Sequence, residues 1–225
     1  MNVAIIVAAG RGLRMGGDSA KQYLPLAGVP IIIHTLKAFE QCEVIQEIIL
    51  VLPAAEAAGF LSLAGKYGLR KVVRVVPGGA TRSASVLQGL QAIRPTTVEV
   101  VAIHDGVRPL VTPEEITNTV NAAREHQAAI LVAPVTDTIK QIKDSGVATT
   151  LNRSQLRRAL TPQCFSYSLL RRAYEGFSAD DPEITDDSLL VERLGVTVRT
   201  VEGSPRNIKI TTPEDLMVAE ALLRV

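Results

Sequence analysis

Val3-Ala4-Ile5-Ile6-Val7-Ala8-Ala9-Gly10-Arg11-Gly12-Leu13-Arg14-Met15-Gly16-Gly17, with Lys21 close behind, is the stretch that decides the fold. An apolar run that does not alternate with polar residues belongs to a strand covered on both faces. A glycine loop at the carboxyl end of such a strand is where open α/β sheets hold their ligands. Working outward, similar runs recur at Glu47–Leu52, Lys71–Val76, Val98–Ile103, Ala129–Ala133 and Val196–Val201. Helix-like segments lie between them: Pro30 precedes Ile31–Glu40, Pro53 opens Ala54–Tyr67, and Thr81 or Ser83 caps the stretch to Ile93. Thr112-Pro113-Glu114-Glu115 opens Ile116–His126, and Thr212-Pro213-Glu214-Asp215 repeats the device before the last helix. Each places a hydroxyl cap, a first-turn proline and acids at the positive helix end. The pattern predicts an α/β fold: a doubly wound, mostly parallel, Rossmann-like sheet flanked by helices.

Residues 1–225 read as one domain, because no linker, repeat or low-complexity tract divides them. One segment breaks the rhythm. Val135–Lys143, Asp144-Ser145-Gly146 and Val147–Asn152 read as two short strands around a turn. This is either a projecting arm over residues 135–153 or an ordinary edge hairpin.

Charge and composition exclude several partners. Lys plus Arg total 24 against 23 Asp plus Glu, a net charge of +1, so no partner is chosen by bulk charge. Any anion site must be local, with the acids expected at helix starts and on outer faces. Aromatic residues make up 4% with no Trp, which leaves little for stacking nucleic-acid bases. No apolar run reaches the roughly 18 residues of a membrane span, and no basic leader precedes Val3. Cys42 and Cys164 show no metal or redox spacing and read as buried thiols. The expected setting is cytoplasmic.

The loops after the strands carry the chemistry. The first is not a Walker A loop, since Asp18-Ser19 follows Gly17, nor a dinucleotide fingerprint, since Met15 stands where a glycine is needed. What remains is small residues at Ala8, Ala9 and Gly10 with Arg11, Arg14 and Lys21, suited to a triphosphate. After the third strand, Pro77-Gly78-Gly79-Ala80-Thr81-Arg82-Ser83-Ala84-Ser85 is either a ligand-contacting turn or simply a capped one. After the fourth, His104-Asp105-Gly106-Val107-Arg108-Pro109 offers an acid and an arginine for a metal, a hydroxyl or a phosphate, or for each other. Asn207-Ile208-Lys209-Ile210 is expected to end a short strand, and a lone Lys209 there is a solvated surface charge unless the fold brings it to the same mouth.

In this order, these residues resemble the sugar-phosphate nucleotidyltransferases. The remaining segments narrow the resemblance to the 2-C-methyl-D-erythritol 4-phosphate cytidylyltransferases of the non-mevalonate isoprenoid pathway. They are Lys21-Gln22-Tyr23-Leu24, Gly78-Gly79 with Arg82 and Ser85, His104-Asp105 with Arg108-Pro109, Arg153 before Ala159-Leu160-Thr161-Pro162-Gln163, Ile184-Thr185-Asp186-Asp187 and Asn207-Ile208-Lys209. The resemblance runs from about residue 3 to 223. It implies CTP-dependent transfer of CMP to the polyol phosphate, with Arg14, Lys21 and Lys209 as catalytic cations. It gives Ala8, Ala9, Gly10, Gly79 and Ser85 to the nucleotide, and Asp105 and Arg108 to the polyol phosphate. It further implies a homodimer paired through the hairpin arm, with Thr136 and Arg153 reaching into the partner's site. Mg²⁺ is expected on the CTP phosphates rather than on named protein ligands. The chain departs from the family's usual residues at Ala80, Gly106, Val107 and Asn152, which bears on base contacts rather than on reaction class.

Other classes fare worse. A cytidylyltransferase for another polyol phosphate, such as ribitol 5-phosphate, stays within the same fold. A nicotinamide-dependent reductase needs Tyr-x-x-x-Lys, and only Tyr67–Lys71 fits, far from the strand mouths. A non-catalytic nucleotide sensor has no need of so many retained cations.

Overall fold

The computed structural model describes residues 1–10, 20–94, 97–176, 178, 181 and 183–224. The chain runs β1 (Asn2–Val7), β2 (Pro25–Leu26), β3 (Val29–Pro30), α1 (Ile31–Gln41), β4 (Glu47–Leu52), α2 (Ala54–Ala57), α3 (Phe60–Lys66), β5 (Val72–Pro77) and α4 (Arg82–Gln91). It continues through β6 (Val100–Asp105), α5 (Pro113–His126), β7 (Ala128–Pro134), β8 (Lys140–Lys143), β9 (Gly146–Thr150), β10 (Arg157–Ser166), α6 (Tyr167–Glu175), α7 (Asp187–Glu192), β11 (Arg199–Glu202) and α8 (Pro213–Leu223). Among the described residues seven strands form one sheet in the order β11-β7-β10-β6-β1-β4-β5. Every neighbouring pair is parallel except those made by β10, which runs antiparallel to β6 and β7.

Why β1 lacks alternation is visible in its two faces. Ala4 and Ile6 point into one apolar cluster, and Val3, Ile5 and Val7 into the other. The same split holds for Ile48, Leu50 and Leu52 against Ile49 and Val51 on β4. Side chains still alternate with period two, but both faces are dry. Helices α1, α3 and α5 cover the first face through Leu36, Phe39, Phe60, Ile116 and Val120, and α4, α6 and α7 the second through Val86, Leu90, Leu170 and Val191.

The chain winds from β1 through β4 to β5 on one side, then crosses to β6 on the other side of β1. That reversal opens a crevice at the carboxyl ends of the strands. Val7 ends β1 level with Asp105 at the end of β6 and Val51 on β4, so three loops start from one rim.

Several expectations need correction. The predicted helix over Ala54–Tyr67 breaks into α2 and α3, with Gly59 leading into the second; α2 buries no residue, so little opposes the break. The strand predicted over Val196–Val201 begins only at Arg199, while Val196 and Val198 pack beneath the sheet. Lys209 ends no strand, because residues 207–211 are irregular. Strand β10 was not expected: two arginines begin it and Pro162 interrupts it, and proline is disfavoured in central strands. A register shift between Ala159 and Gln163 accommodates that proline.

β8 and β9 pair as a separate, fully exposed hairpin. Asp144 and Ser145 take positive φ at its turn. Its strands begin at Lys140 rather than Val135. Cys42 and Cys164 are buried free thiols, and no helix among the described residues is long and apolar enough to cross a membrane.

Candidate active site

A cavity of about 560 Å³ lies over the crevice, walled by the loops after β1, β5 and β6, by Lys21 and Gln22, and by Lys209. Backbone bonds fix its rim: Ala8 N–H donates to Val51 O and Gly106 N–H to Val7 O, both at 2.8 Å. Thr81 caps α4 by accepting from Ala84 N–H. Ser85 Oγ accepts from Gly79 N–H at 3.1 Å and donates to Thr81 O at 2.9 Å, which pins the glycine turn to the helix start. The turn needs glycine at 79, where an added Cβ would lie 2.6 Å from the Ala84 methyl.

A second cavity of about 210 Å³ adjoins it, lined by Arg108, Ala159, Leu160, Thr161, Gln163, Thr185 and Asp186. Arg82, Asp105 and Lys209 line both. These three form the wall between the chambers. Asp105 Oδ1 pairs with Arg82 Nε at 2.9 Å, and its Oδ2 with Lys209 Nζ at 3.0 Å and Arg108 Nε at 3.3 Å. Burial alone would raise the Asp105 pKa, but Arg82, then Lys209 and Arg108, hold it well below the usual carboxylate range. Arg82 Nη1 also reaches Asp187 Oδ2 at 2.7 Å. Burial opposes its charge, yet the two carboxylates carry its pKa above the ordinary arginine value. Asp187 is itself fully buried and takes a 2.7 Å bond from Tyr174 OH. Gln163 Oε1 accepts from Asp187 N–H and Ser188 N–H, tying α7 to β10.

Lys209 comes from irregular chain, so its position depends on anchors. Glu115, in the capping box of α5, accepts from Ser204 N–H at 2.7 Å. Asn207 Nδ2 donates to Thr161 O at 3.0 Å, Arg108 Nη1 donates to Asn207 O at 2.9 Å, and Ile210 N–H donates to Val107 O at 2.9 Å.

His104 lies under this wall, fully buried. Its Nε2 faces the Arg108 carbonyl at 3.2 Å, which can only accept, so that nitrogen carries the proton. Nδ1 then accepts from Thr161 Oγ1 at 2.9 Å, and Thr161 Oγ1 accepts in turn from Asp105 N–H at 3.2 Å. Burial, the main cause, pushes the imidazole down to about 3. The unfolded chain therefore binds this proton from about pH 6.5 downward while the folded chain refuses it. Stability falls as pH drops across that window, on the order of a few kcal/mol. His104→Gln should show a shallower fall in Tm between pH 6.5 and 5 than the wild type. Parallel Tm curves would discard this account.

Of the residues singled out in the sequence, Ala8, Ala9, Gly10, Lys21, Gly79, Ser85, Asp105 and Lys209 line the larger cavity. Arg108 joins Asp105 and Lys209 in the smaller one. Arg14 lies outside the described residues. Thr136 and Arg153 line neither cavity; Arg153 Nη1 donates to Thr136 O at 2.7 Å, on the chain flanking the hairpin. Tyr67 and Lys71 are also absent from both linings, and Lys71 Nζ donates to Cys42 O. The residue missed was Arg82, quoted within a motif but given no role. Its signal was position, one residue past the Thr81 cap of a glycine turn. The acids are not all peripheral either: Asp105 and Asp187 are buried among the cations.

Comparison with known proteins now decides the family. The profile of 2-C-methyl-D-erythritol 4-phosphate cytidylyltransferase matches residues 2–225. The chain belongs to this family. The enzyme of that name from Bacillus cytotoxicus is 46% identical over 225 residues, covering 100% of this chain and 99% of the relative. That from Alkaliphilus oremlandii is 47% identical over 223 residues, covering 98% and 94%. The crystal structure of 4-diphosphocytidyl-2C-methyl-D-erythritol synthase from Anaerococcus prevotii superposes with a TM-score of 0.88 at 37% identity, covering 100% of this chain and 96% of that one. Two of the departures from the family's usual residues sit in well-defined surroundings. Gly106 sits where a Cβ would lie 2.8 Å from the Ala8 methyl and 2.7 Å from Ile32 Cδ1, so the β1 and β6 loops approach more closely here than a side chain allows without a shift. Asn152 accepts from Ser154 N–H and so caps the turn that carries Arg153.

Proposed function

We propose that the chain transfers CMP from CTP to 2-C-methyl-D-erythritol 4-phosphate, releasing pyrophosphate. The observation that carries this reading is the pair of adjoining cavities, one sized for a nucleotide and one smaller, divided by Arg82, Asp105 and Lys209. CTP occupies the larger cavity with its base against Ala8, Ala9, Gly10, Gly79 and Ser85. The polyol phosphate occupies the smaller, near Asp105 and Arg108. A phosphate oxygen of the polyol attacks the α-phosphorus of CTP in line; the new P–O bond forms as the α–β bridging bond breaks, and pyrophosphate leaves with that electron pair. The nucleophile is already anionic near neutral pH, so no general base is needed. The protein's work is positioning and charge stabilisation. Arg14, Lys21 and Lys209 neutralise charge growing on the five-coordinate phosphorus and the leaving group.

In this reading Mg²⁺ would be held chiefly by the CTP phosphates. Asp105, the carboxylate at the divide, has both oxygens engaged in ion pairs with Arg82, Arg108 and Lys209, which fits an ion held by phosphate oxygens rather than by this side chain. When bound, the ion offsets triphosphate charge. The hairpin pairs two copies, its exposed Ile142 and Val147 meeting the partner, and Thr136 and Arg153 complete the partner's polyol site. The whole acts in the cytoplasm, where both thiols stay reduced.

Pyrophosphate release with CTP should be rapid on 2-C-methyl-D-erythritol 4-phosphate and far slower on ribitol 5-phosphate. Equal rates would remove the polyol assignment, and no turnover on either would remove the enzyme. Light scattering at twice the chain mass is the result expected for the dimer.

A further inference from the structure

Lys21 opens a turn of three residues, Lys21–Tyr23, with no side-chain cap at its start. So short a helical turn has little stability of its own. It is held from outside, by α1 packed against it and by side-chain contacts to α2 and α3. Gln22 Nε2 donates to Glu56 Oε2 at 3.1 Å. The Tyr23 ring lies 6.4 Å from that of Phe60 on α3. Burial first, and then the hydrogen-bonded Glu56 carboxylate, push the Tyr23 phenol above its usual range. One carboxylate thus holds the Gln22 amide by a hydrogen bond and acts electrostatically on Tyr23, the next residue along.

Glu56 has little else to do. It lines neither cavity, and α2 buries no residue, so it supports no core. Gln22, by contrast, is 1% exposed, and its Oε1 has no partner among the described residues. The bond to Glu56 is what orients that buried amide, and an amide bonded to an acceptor-only carboxylate cannot flip without losing it. We infer that Glu56 is a positioning residue for Lys21, acting through Gln22 and Tyr23 to aim the ammonium at the nucleotide phosphates. This rests on the reading of Lys21 as a catalytic cation.

The test is steady-state pyrophosphate release by the full chain for Glu56→Ala, Glu56→Gln, Lys21→Ala and the double variant Glu56→Ala with Lys21→Ala. Glu56→Ala should lose about tenfold or more in kcat, the scale of a displaced catalytic group, with KM for the polyol phosphate within about twofold of wild type. Glu56→Gln keeps a carbonyl acceptor for Gln22 Nε2 and should recover most of the rate. In the double variant the Glu56 change should cost nothing beyond Lys21→Ala, because a group acting through Lys21 has nothing left to position. Wild-type kcat in Glu56→Ala, or losses that multiply in the double variant, would overturn the inference. Near-normal turnover in Lys21→Ala would overturn the role of Lys21 itself, and with it the ground for this one. If Glu56→Ala does not fold, Gln22→Leu takes its place in the same cycle, where a kcat loss that vanishes beside Lys21→Ala supports the inference and a wild-type kcat or a multiplying loss overturns it.

Discussion

Lys21→Ala should lower kcat by about 10²- to 10³-fold, the loss seen when one preorganised donor to a developing charge is removed. The reasoning starts from where charge grows. The α-phosphorus passes through a five-coordinate state whose equatorial oxygens and departing pyrophosphate carry more negative charge than bound CTP does. A cation at the cavity wall is worth more there than in water, because protein rather than solvent surrounds it. Lys21 lines the larger cavity, as does Gly10 on the loop after β1. A cation binding CTP and the transition state equally would change KM and spare kcat. The distinguishing measurement is therefore kcat at saturating CTP and polyol phosphate, alongside CTP affinity by calorimetry. The expected result is a kcat loss much larger than the affinity loss. Turnover within about twofold of wild type would remove Lys21 from the mechanism.

The sheet was legible in the sequence because double burial makes its strands unbroken apolar runs. β1, β4 and β6 came out within about two residues of their observed bounds, in line with the general softness of element ends. Thr112 and Thr212 were readable as caps because each stands before Pro and two acids, and both form capping boxes. β10 was illegible for the opposite reason. Its Arg157-Arg158 start and Pro162 oppose strand propensity, and its place between β6 and β7 is a tertiary outcome. The site followed the same division. Residues at strand ends or on the loops directly after them, such as Asp105, Ala8 and Gly79, were found by counting from the strand. Arg82 and Asp187 are 105 positions apart, and nothing local tells that one bridges to the other. The charge balance shows it most plainly: a net charge of +1 required a local site, and the sequence offered Asp105 with Arg108 there but not the other cations that share its carboxylate. The structure instead sets Arg82, Arg108 and Lys209 around the single carboxylate of Asp105.

That arrangement makes Arg82→Ala the variant with the broadest consequences, in stability as well as rate. The Arg82 guanidinium spans two carboxylates on different elements, Asp105 at the end of β6 and Asp187 at the start of α7. Removing it leaves buried Asp187 with the Tyr174 hydroxyl and, among the described residues, no cation in an ion pair with it. Breaking a buried pair from one side costs about 3–5 kcal/mol, because the remaining charge cannot return to water. For a chain of this size that corresponds to a Tm lower by on the order of 10 °C. Acid tolerance should suffer too. Asp105 is held below its unfolded pKa, so its ionised form contributes stability above about pH 4 that is lost as pH falls through the folded value. Without Arg82, the first of its three cations, the folded pKa rises, the gap to the unfolded value narrows, and this contribution shrinks. Activity should fall by about 10²-fold or more, since the wall between the chambers loses the group that touches both. Arg82→Lys should rescue little, because an ammonium is a point charge that cannot hold Asp105 and Asp187 in a fixed fork. Thermal unfolding at pH 7.5 and pH 5, with pyrophosphate release measured at a temperature where the variant is folded, separates the two effects. A variant with wild-type Tm and wild-type rate would show that the Arg82 bridge holds neither the fold nor the site.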